Sequence, residues 1–335
     1  MDTKAARSTG LAPRPIIGFV GAGRVGKALG RHLSERGLKV SGYYRRNQQA
    51  SPSQADGSTR QEALDVAQEG QHSHAKTETP THALTDSTQA LPGTSWTSLA
   101  ELADQCDILF LTVPDDAITT VWNELRGLTI AGKAICHCSG IHSTAVFEGI
   151  EATGATGFSL HPLCAVTDDL ASMSGVYFTL EGSCTHPAME RLIAEIDNPV
   201  QIIAAEDKSR YHAAAVFVSN FVNGLSFVGS KLLEDSGLDE EFAHEAWRGL
   251  FLGNARAIAE KGPAAALTGP VERGDLGTVR AHLEALEAAE ASTTPTASHP
   301  SAATLYKLLS STLVELAEVK NPHRDYSPMK EMLTP

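Results

Sequence analysis

Three glycines, at Gly21, Gly23 and Gly26 of Gly21-Ala22-Gly23-Arg24-Val25-Gly26, have the spacing that lets a backbone lie against a pyrophosphate. Gly21 suits a tight turn, Gly23 lacks the Cβ that would obstruct a phosphate, and Gly26 lets a helix pack close to a sheet. Ala22, Arg24 and Val25 complete the loop, and the phosphates would face the N–H groups that open the helix. About 20 residues past the first glycine, a carboxylate would normally hold a ribose 2′-hydroxyl. Arg45-Arg46-Asn47 stands there instead. Two guanidiniums suit a 2′-phosphate, so the loop predicts NADP(H) rather than NAD(H); the plainer alternative makes Arg45 and Arg46 a solvated strand end.

A second group of capable side chains follows Asp207, which can cap a helix. At 100° per residue, Lys208, His212, Ala215, Ser219 and Asn223 share one stripe of that helix. A polar stripe on an otherwise apolar helix is costly to bury without a partner, which a substrate crevice or open water would supply. His212 could protonate a carbonyl oxygen that receives hydride, because imidazole titrates near neutrality. Lys208 could do so only if desolvation lowered its pKa, or it could bind a carboxylate, while Asn220 is a further candidate anchor. Ser139 follows a strand end, where its hydroxyl could hold a substrate oxygen or merely close the turn before Gly140. Arg273-Gly274-Asp275 offers a planar carboxylate clamp beside an acid that could orient it, or two helix caps.

No metal is expected. Cys136-His137-Cys138 alternate across a strand and cannot all reach one ion, which makes His137 structural, and His72, His74 and His82 are irregularly spaced in polar sequence.

These residues need elements to hold them. Apolar runs predict strands at Pro15–Val20, Lys39–Tyr44, Ile108–Val113, Ala134–Cys138, Gly157–His161, Val176–Leu180 and Val200–Ile203. Helical spacing marks Val25–Leu33, with Gly37 to stop it, then Ser98–Ala103 and a helix near His186–Ile196. Beyond Asp207 the pattern is helical: about Lys208–Asp235, Glu240–Lys261, Gly274–Ala289 and Ala302–Lys320. The fold class is therefore α/β, a Rossmann-type doubly wound and mainly parallel sheet over 15–204, followed by an all-helical domain over 205–320. Residues 1–14 read as a disordered leader, 47–94 as a polar, mobile insertion with a short helix at Gln61–Gln68, and 321–335 as a tail. Ligands of such sheets bind beyond the strand C-termini, so Gly21, Arg45, Pro114, Ser139 and His161 should gather at one crevice, with Val113 a further candidate cofactor contact and Gly140 and His161 candidate substrate contacts.

The chain has 335 residues and a net charge of −13, which argues against a nucleic-acid partner, since no basic surface is available to displace counterions. Its N-terminus lacks the apolar core of a signal peptide, and no run approaches a membrane span. Five cysteines without framework spacing indicate reduced thiols, and the expected setting is cytoplasmic, with a small-molecule substrate and no membrane partner.

Gly18–Gly26, Val113-Pro-Asp-Asp-Ala-Ile118, His137-Cys-Ser-Gly140, Ser159-Leu-His-Pro-Leu163, Tyr211-His-Ala-Ala-Ala215, Ser219-Asn220-Phe221, Leu267-Thr-Gly-Pro270 and Arg273-Gly-Asp275 together resemble a bacterial family. It pairs a Rossmann-like domain with a helical C-terminal domain of unknown function. The family resembles a branch of the 6-phosphogluconate-dehydrogenase-like superfamily, akin to pyrroline-5-carboxylate reductase, 3-hydroxyisobutyrate dehydrogenase and ketopantoate reductase. The resemblance implies a nicotinamide cofactor, often NADP, and a homodimer formed through the helical domain. In 3-hydroxyisobutyrate dehydrogenases a lysine on the long interdomain helix donates the proton. His212 stands near its place and Ser219-Asn220 follow later, which leaves the donor open between His212 and Lys208. Residues and resemblance together predict NADP(H)-dependent reduction of a small carboxylate-bearing carbonyl compound, a 2-oxo acid with ketopantoate a candidate. The alternatives are an imine reductase of the pyrroline-5-carboxylate type and a non-catalytic dinucleotide-binding sensor.

Overall fold

A computed structural model describes residues 12–45, 91–168, 170, 172–182, 185–291 and 301–334. Eight strands form one sheet: β1 (Ile16–Val20), β2 (Lys39–Tyr44), β3 (Thr94–Trp96), β4 (Ile108–Leu111), β5 (Ala134–His137), β6 (Thr156–Pro162), β7 (Phe178–Gly182) and β8 (Val200–Ile202). Their order is β3-β2-β1-β4-β5-β6-β7-β8. The chain starts mid-sheet, works outward to β3, then returns to the other side of β1, which puts the reversal of strand order between β1 and β4. Neighbours are parallel except β6 and β7, which run antiparallel with Pro162 opposite Phe178. The link between those two strands therefore stays at the carboxyl edge of β6, pinned by the Leu163 amide donating to the Tyr177 carbonyl at 2.8 Å.

Strand β4 shows why the sheet is buried on both faces. Ile108 and Phe110 join a core with Phe19, Leu29, Leu33 and Tyr43, while Leu109 and Leu111 join one with Leu102, Trp122, Ile135 and Phe147. The continuous apolar run is the sequence form of that two-sided burial. The helices of this unit are α1 (Arg24–Glu35), α2 (Leu99–Gln105), α3 (Ile118–Leu125), α4 (Pro187–Ile196) and α5 (Lys208–Val218). Ser98 starts α2 by accepting the Glu101 amide, and Gly37, at φ 74°, lets the chain leave α1.

The second compact unit starts at Asn220, so α5 groups with the sheet, although the change was expected at 204/205. Its helices are α6 (Asn220–Asp235), α7 (Glu240–Lys261), α8 (Pro263–Ala266), α9 (Pro270–Arg273), α10 (Leu276–Ala291), α11 (Ala302–Lys320) and α12 (Ser327–Leu333). The expected tail is not one: Tyr326, Met329 and Leu333 are buried with Val279 and Val314, and the Tyr326 hydroxyl donates to the Glu272 carbonyl. Leu91 already packs on the sheet core and β3 begins at Thr94, so order returns before the expected end of the insertion at 94. Arg14, assigned to the leader, pairs with Glu195 at 3.0 Å. The expected helix at 61–68 lies outside the described residues.

One predicted helix is two. The single span Lys208–Asp235 breaks at Ser219 (φ −128°, ψ −76°), whose hydroxyl donates back to the Ala215 carbonyl at 2.7 Å. The 100° count from Lys208 therefore does not carry through to Asn223. By length and composition alone, Ala205–Asp235 is also apolar enough to cross a membrane, contrary to the expectation that no run approaches a span. Interspersed Ser and Asn hide that average from inspection of the residues.

Candidate active site

The glycine loop lies at the β1/β4 reversal, and its three glycines answer to three different neighbours. Gly21 has φ 103°, donates its amide to the Tyr44 carbonyl at 2.9 Å, and would put a Cβ 2.6 Å from the Thr112 carbonyl oxygen. At Gly26 a Cβ would collide with the Thr112 hydroxyl, which itself donates to the Gly21 carbonyl at 2.9 Å. At Gly23 an added Cβ would come no nearer than 3.7 Å to the protein. The fold does not demand that glycine, and the space beside it is open. Gly23 is also the N-cap of α1, with no side-chain cap bond and no acid in the first turn, so the leading N–H groups remain for an anion. A cleft of about 350 Å³ beside this loop is lined by Gly23, Arg24, Val25, Val113, Pro114 and Ser139 among others. Ala22 packs against the core. Arg45 is exposed just past β2, and Arg46 lies outside the described residues.

Across the cleft, the turn after β5 is held rigid. Ser139 donates its hydroxyl proton to Asp115 Oδ2 at 2.9 Å and accepts the amides of Ile141 (3.3 Å) and His142 (3.1 Å). That hydroxyl closes a turn, so of the two sequence readings of Ser139 the turn is the one drawn in its bonds. His137 is buried, accepts the Ser139 amide on Nδ1 at 3.2 Å and donates from Nε2 to the Ser143 carbonyl at 3.2 Å. Burial pushes its pKa down to about 3, leaving a neutral ring that braces the turn. Burial also raises the Cys138 thiol to about 12 and the Cys136 thiol well above its usual range, so neither is a ready nucleophile. Among the described residues no group of three or more His, Cys, Asp or Glu is placed to hold a metal.

The first turn of α5 faces this turn and the end of β6. Lys208 is 1% exposed and donates to the Ser139 carbonyl (3.1 Å) and the Ser159 hydroxyl (2.7 Å). Burial lowers its pKa, opposed chiefly by the carboxylate of Glu181, which is buried and holds the Thr144 amide and hydroxyl at 2.7 and 2.8 Å. His161, at the end of β6, meets the Tyr211 hydroxyl through Nδ1 at 2.9 Å. Burial, then the charge of Lys208, push its pKa down to about 4. His212 lies edge-on to His161 with ring centroids 5.9 Å apart. Its Nδ1 is buried without a hydrogen-bond partner. Gly140 is small for their sake: a Cβ there would overlap His212 Nδ1 and sit 3.0 Å from His161 Nε2. Gly140, His161, Lys208 and His212 are thus brought together in one unit.

The other expected site residues are arranged differently. Ser219 bonds back to its own helix, and Asn220, Asn223, Arg273 and Asp275 belong to the helical unit. Asp275 does not hold Arg273 as a clamp; its carboxylate caps α10 by accepting the Thr278 amide (3.0 Å) and hydroxyl (2.7 Å). Four participants escaped the sequence reading: Asp115, Ser159, Glu181 and Tyr211. Ser159 and His161 are two apart on a buried strand, so period-two alternation put both on one face. Tyr211 is three residues from Lys208 and next to His212, at the border of the polar stripe. For Asp115 and Glu181 the partners are long-range, and no local pattern marks them.

Residues 55–162 match the model of a Rossmann-like domain, and residues 176–313 match that of a domain of unknown function, DUF2520. No curated protein matches the chain. Among solved structures, protein TM1727 from Thermotoga maritima is 23% identical with a TM-score of 0.61, over 91% of this chain and 99% of that one. A candidate NADP oxidoreductase, BF3122, from Bacteroides fragilis is 22% identical with a TM-score of 0.58, over 90% and 98%. Plasmodium falciparum pyrroline carboxylate reductase, solved with NADP bound, is 14% identical with a TM-score of 0.52, over 93% and 99%. At these identities the likeness establishes a shared fold.

Proposed function

We propose that this chain, which joins a Rossmann-like domain to a DUF2520 domain, is an NADP(H)-dependent oxidoreductase that reduces a small carboxylate-bearing carbonyl compound, a 2-oxo acid such as ketopantoate. The observation that carries this reading is Gly23, a glycine the fold does not need, at the open start of α1 and on the cleft that also reaches Ser139. The α1 amides would hold the pyrophosphate, and Arg45 would take the 2′-phosphate in the place where an acid would favour a hydroxyl. When bound, the nicotinamide supplies the hydride. The Plasmodium reductase of the same fold carries NADP, which supports the same cofactor here.

The chain's own residues then position and protonate. Both bonds of the Lys208 ammonium bind the ends of β5 and β6 to α5, which makes it a brace. His212 has a ring nitrogen with no partner and supplies the proton to the substrate oxygen, with neutral His161 beside it to hold an acceptor. The protein is further proposed to be a cytoplasmic homodimer joined through its helical unit. Exposed Phe227 (71%) and Leu250 (74%) on α6 and α7 support a covered surface there.

The deciding experiment measures NADPH oxidation against ketopantoate, other 2-oxo acids and cyclic imines. Turnover of a 2-oxo acid is expected. Turnover of a cyclic imine alone would move the substrate class to imines, and tight NADPH binding without oxidation of any compound would make the protein a sensor.

A further inference from the structure

We propose that Tyr211 is a positioning residue: its phenol donates to His161 Nδ1, fixes the imidazole proton on Nε2, and so turns a donor N–H toward Gly140 and His212. The two side chains are 2.9 Å apart at Oη and Nδ1, with rings perpendicular at 88° and centroids 5.6 Å apart. A shared hydrogen bond between a phenol and a neutral imidazole has a preferred direction, because the phenol is by far the stronger acid. Burial keeps both partners in that state. It raises the Tyr211 pKa, so the hydroxyl retains its proton, and it holds His161 neutral, with a bare nitrogen to accept.

The consequence is geometric. Once Nδ1 accepts, the only proton left on the His161 ring is at Nε2, the nitrogen that a Cβ on Gly140 would approach to 3.0 Å. The same added Cβ would overlap the partnerless Nδ1 of His212. Two imidazole nitrogens thus close over Gly140 and leave no room for a Cβ. With Nε2–H as a donor, the His161 ring offers a hydrogen to an approaching oxygen with a free lone pair, such as a carbonyl or carboxylate oxygen. Without Tyr211 the ring could place its proton on either nitrogen and present a lone pair to the substrate oxygen, which would repel it.

The use of this N–H on a substrate rests on the proposed reductase function, whereas the tautomer itself does not. Nitrogen-15 NMR of the full chain with labelled histidine reads the tautomer directly. The expected spectrum shows His161 protonated at Nε2 with a bare, hydrogen-bonded Nδ1. Tyr211→Phe keeps the ring packing and should convert this signature into averaged shifts of two exchanging tautomers, with an unchanged melting curve. It should also raise KM for the 2-oxo acid roughly tenfold, the size of one lost hydrogen bond, with NADPH affinity unaltered. A proton on Nδ1 in the native protein overturns the proposal, and that spectrum decides even if the variant does not fold. Unchanged His161 shifts in Tyr211→Phe overturn it as well. If the tautomer shifts as stated while no substrate is turned over, the positioning role stands and the reductase reading fails.

Discussion

Under the proposed function, removal of His212 and removal of Arg45 should separate chemistry from cofactor affinity. Replacing His212 by Ala removes the proposed proton donor, and general acid catalysis is worth roughly 10²–10⁴-fold. The expected result is a drop in kcat of that order with the NADPH dissociation constant unchanged; full turnover would return the role to Lys208. Arg45→Ala should act on the other property. One charge-assisted bond to a 2′-phosphate is worth about 1.5–3 kcal/mol, so NADPH should bind roughly 10- to 100-fold more weakly while NADH is unaffected, as read by titration. Buried His137 and half-buried His161 predict a pH dependence. His137 and His161 have pKa values near 3 and near 4 against an ordinary 6.5, so the unfolded chain binds protons that the folded chain refuses. Their contribution is fully present above about pH 6.5 and is lost as pH falls toward 4 and then 3. Denaturant unfolding followed from neutrality down to about pH 4 should show falling stability, with a shallower fall in His161→Gln. A profile that is flat across that window would contradict the burial of both rings.

At the scale of elements, the loop between β1 and α1 makes opposite predictions for two neighbouring glycines. Gly23→Ala meets nothing closer than 3.7 Å, so melting should be unchanged while NADPH affinity falls at least roughly tenfold. Gly26→Ala drives a methyl into the Thr112 hydroxyl and should cost about 1–3 kcal/mol of stability, part of which Thr112→Ala recovers. Equal thermal loss in both variants would show that Gly23 serves the fold rather than a ligand. Seven of the eight strands and the first helix were legible because buried strands of a parallel sheet are plain apolar runs and α1 carries a stop at Gly37, whereas β3, three residues on the sheet edge without an apolar run, was not. The break at Ser219 was not, because Ser is neutral to helix propensity and the kink depends on a back-bond that only coordinates display. The same limit hid Asp115, whose contact with Ser139 spans 24 positions. For Asp275 the residues left clamp and cap open, and the bonds to Thr278 draw the cap.

At the scale of the molecule, the helical unit is rich in apolar side chains that its own helices leave uncovered: no residue of α6 is buried, and only Ala243 is buried in α7. Apolar surface of that kind marks an interface or a membrane contact. For the proposed homodimer, light scattering should give twice the chain mass, and the pair Phe227→Ser with Leu250→Ser should reduce it to a monomer. A native monomer that floats with lipid vesicles would instead assign the Ala205–Asp235 stretch to a membrane. The antiparallel pairing of β6 with β7 bears on a different matter, the history such proteins can have. A parallel crossover would carry the chain after Pro162 away to the opposite edge of the sheet, whereas here it doubles back at the edge where Val166 lines the cleft. Met173 fills the core beneath that link and Asn198 holds its carbonyl and that of Val176, so the link is anchored at one end while Val166 reaches the cleft, and exchange at the cleft-facing positions leaves the strand pairs in place. Under the proposed function, substrate preference would thus be free to drift in a lineage while the sheet is inherited intact.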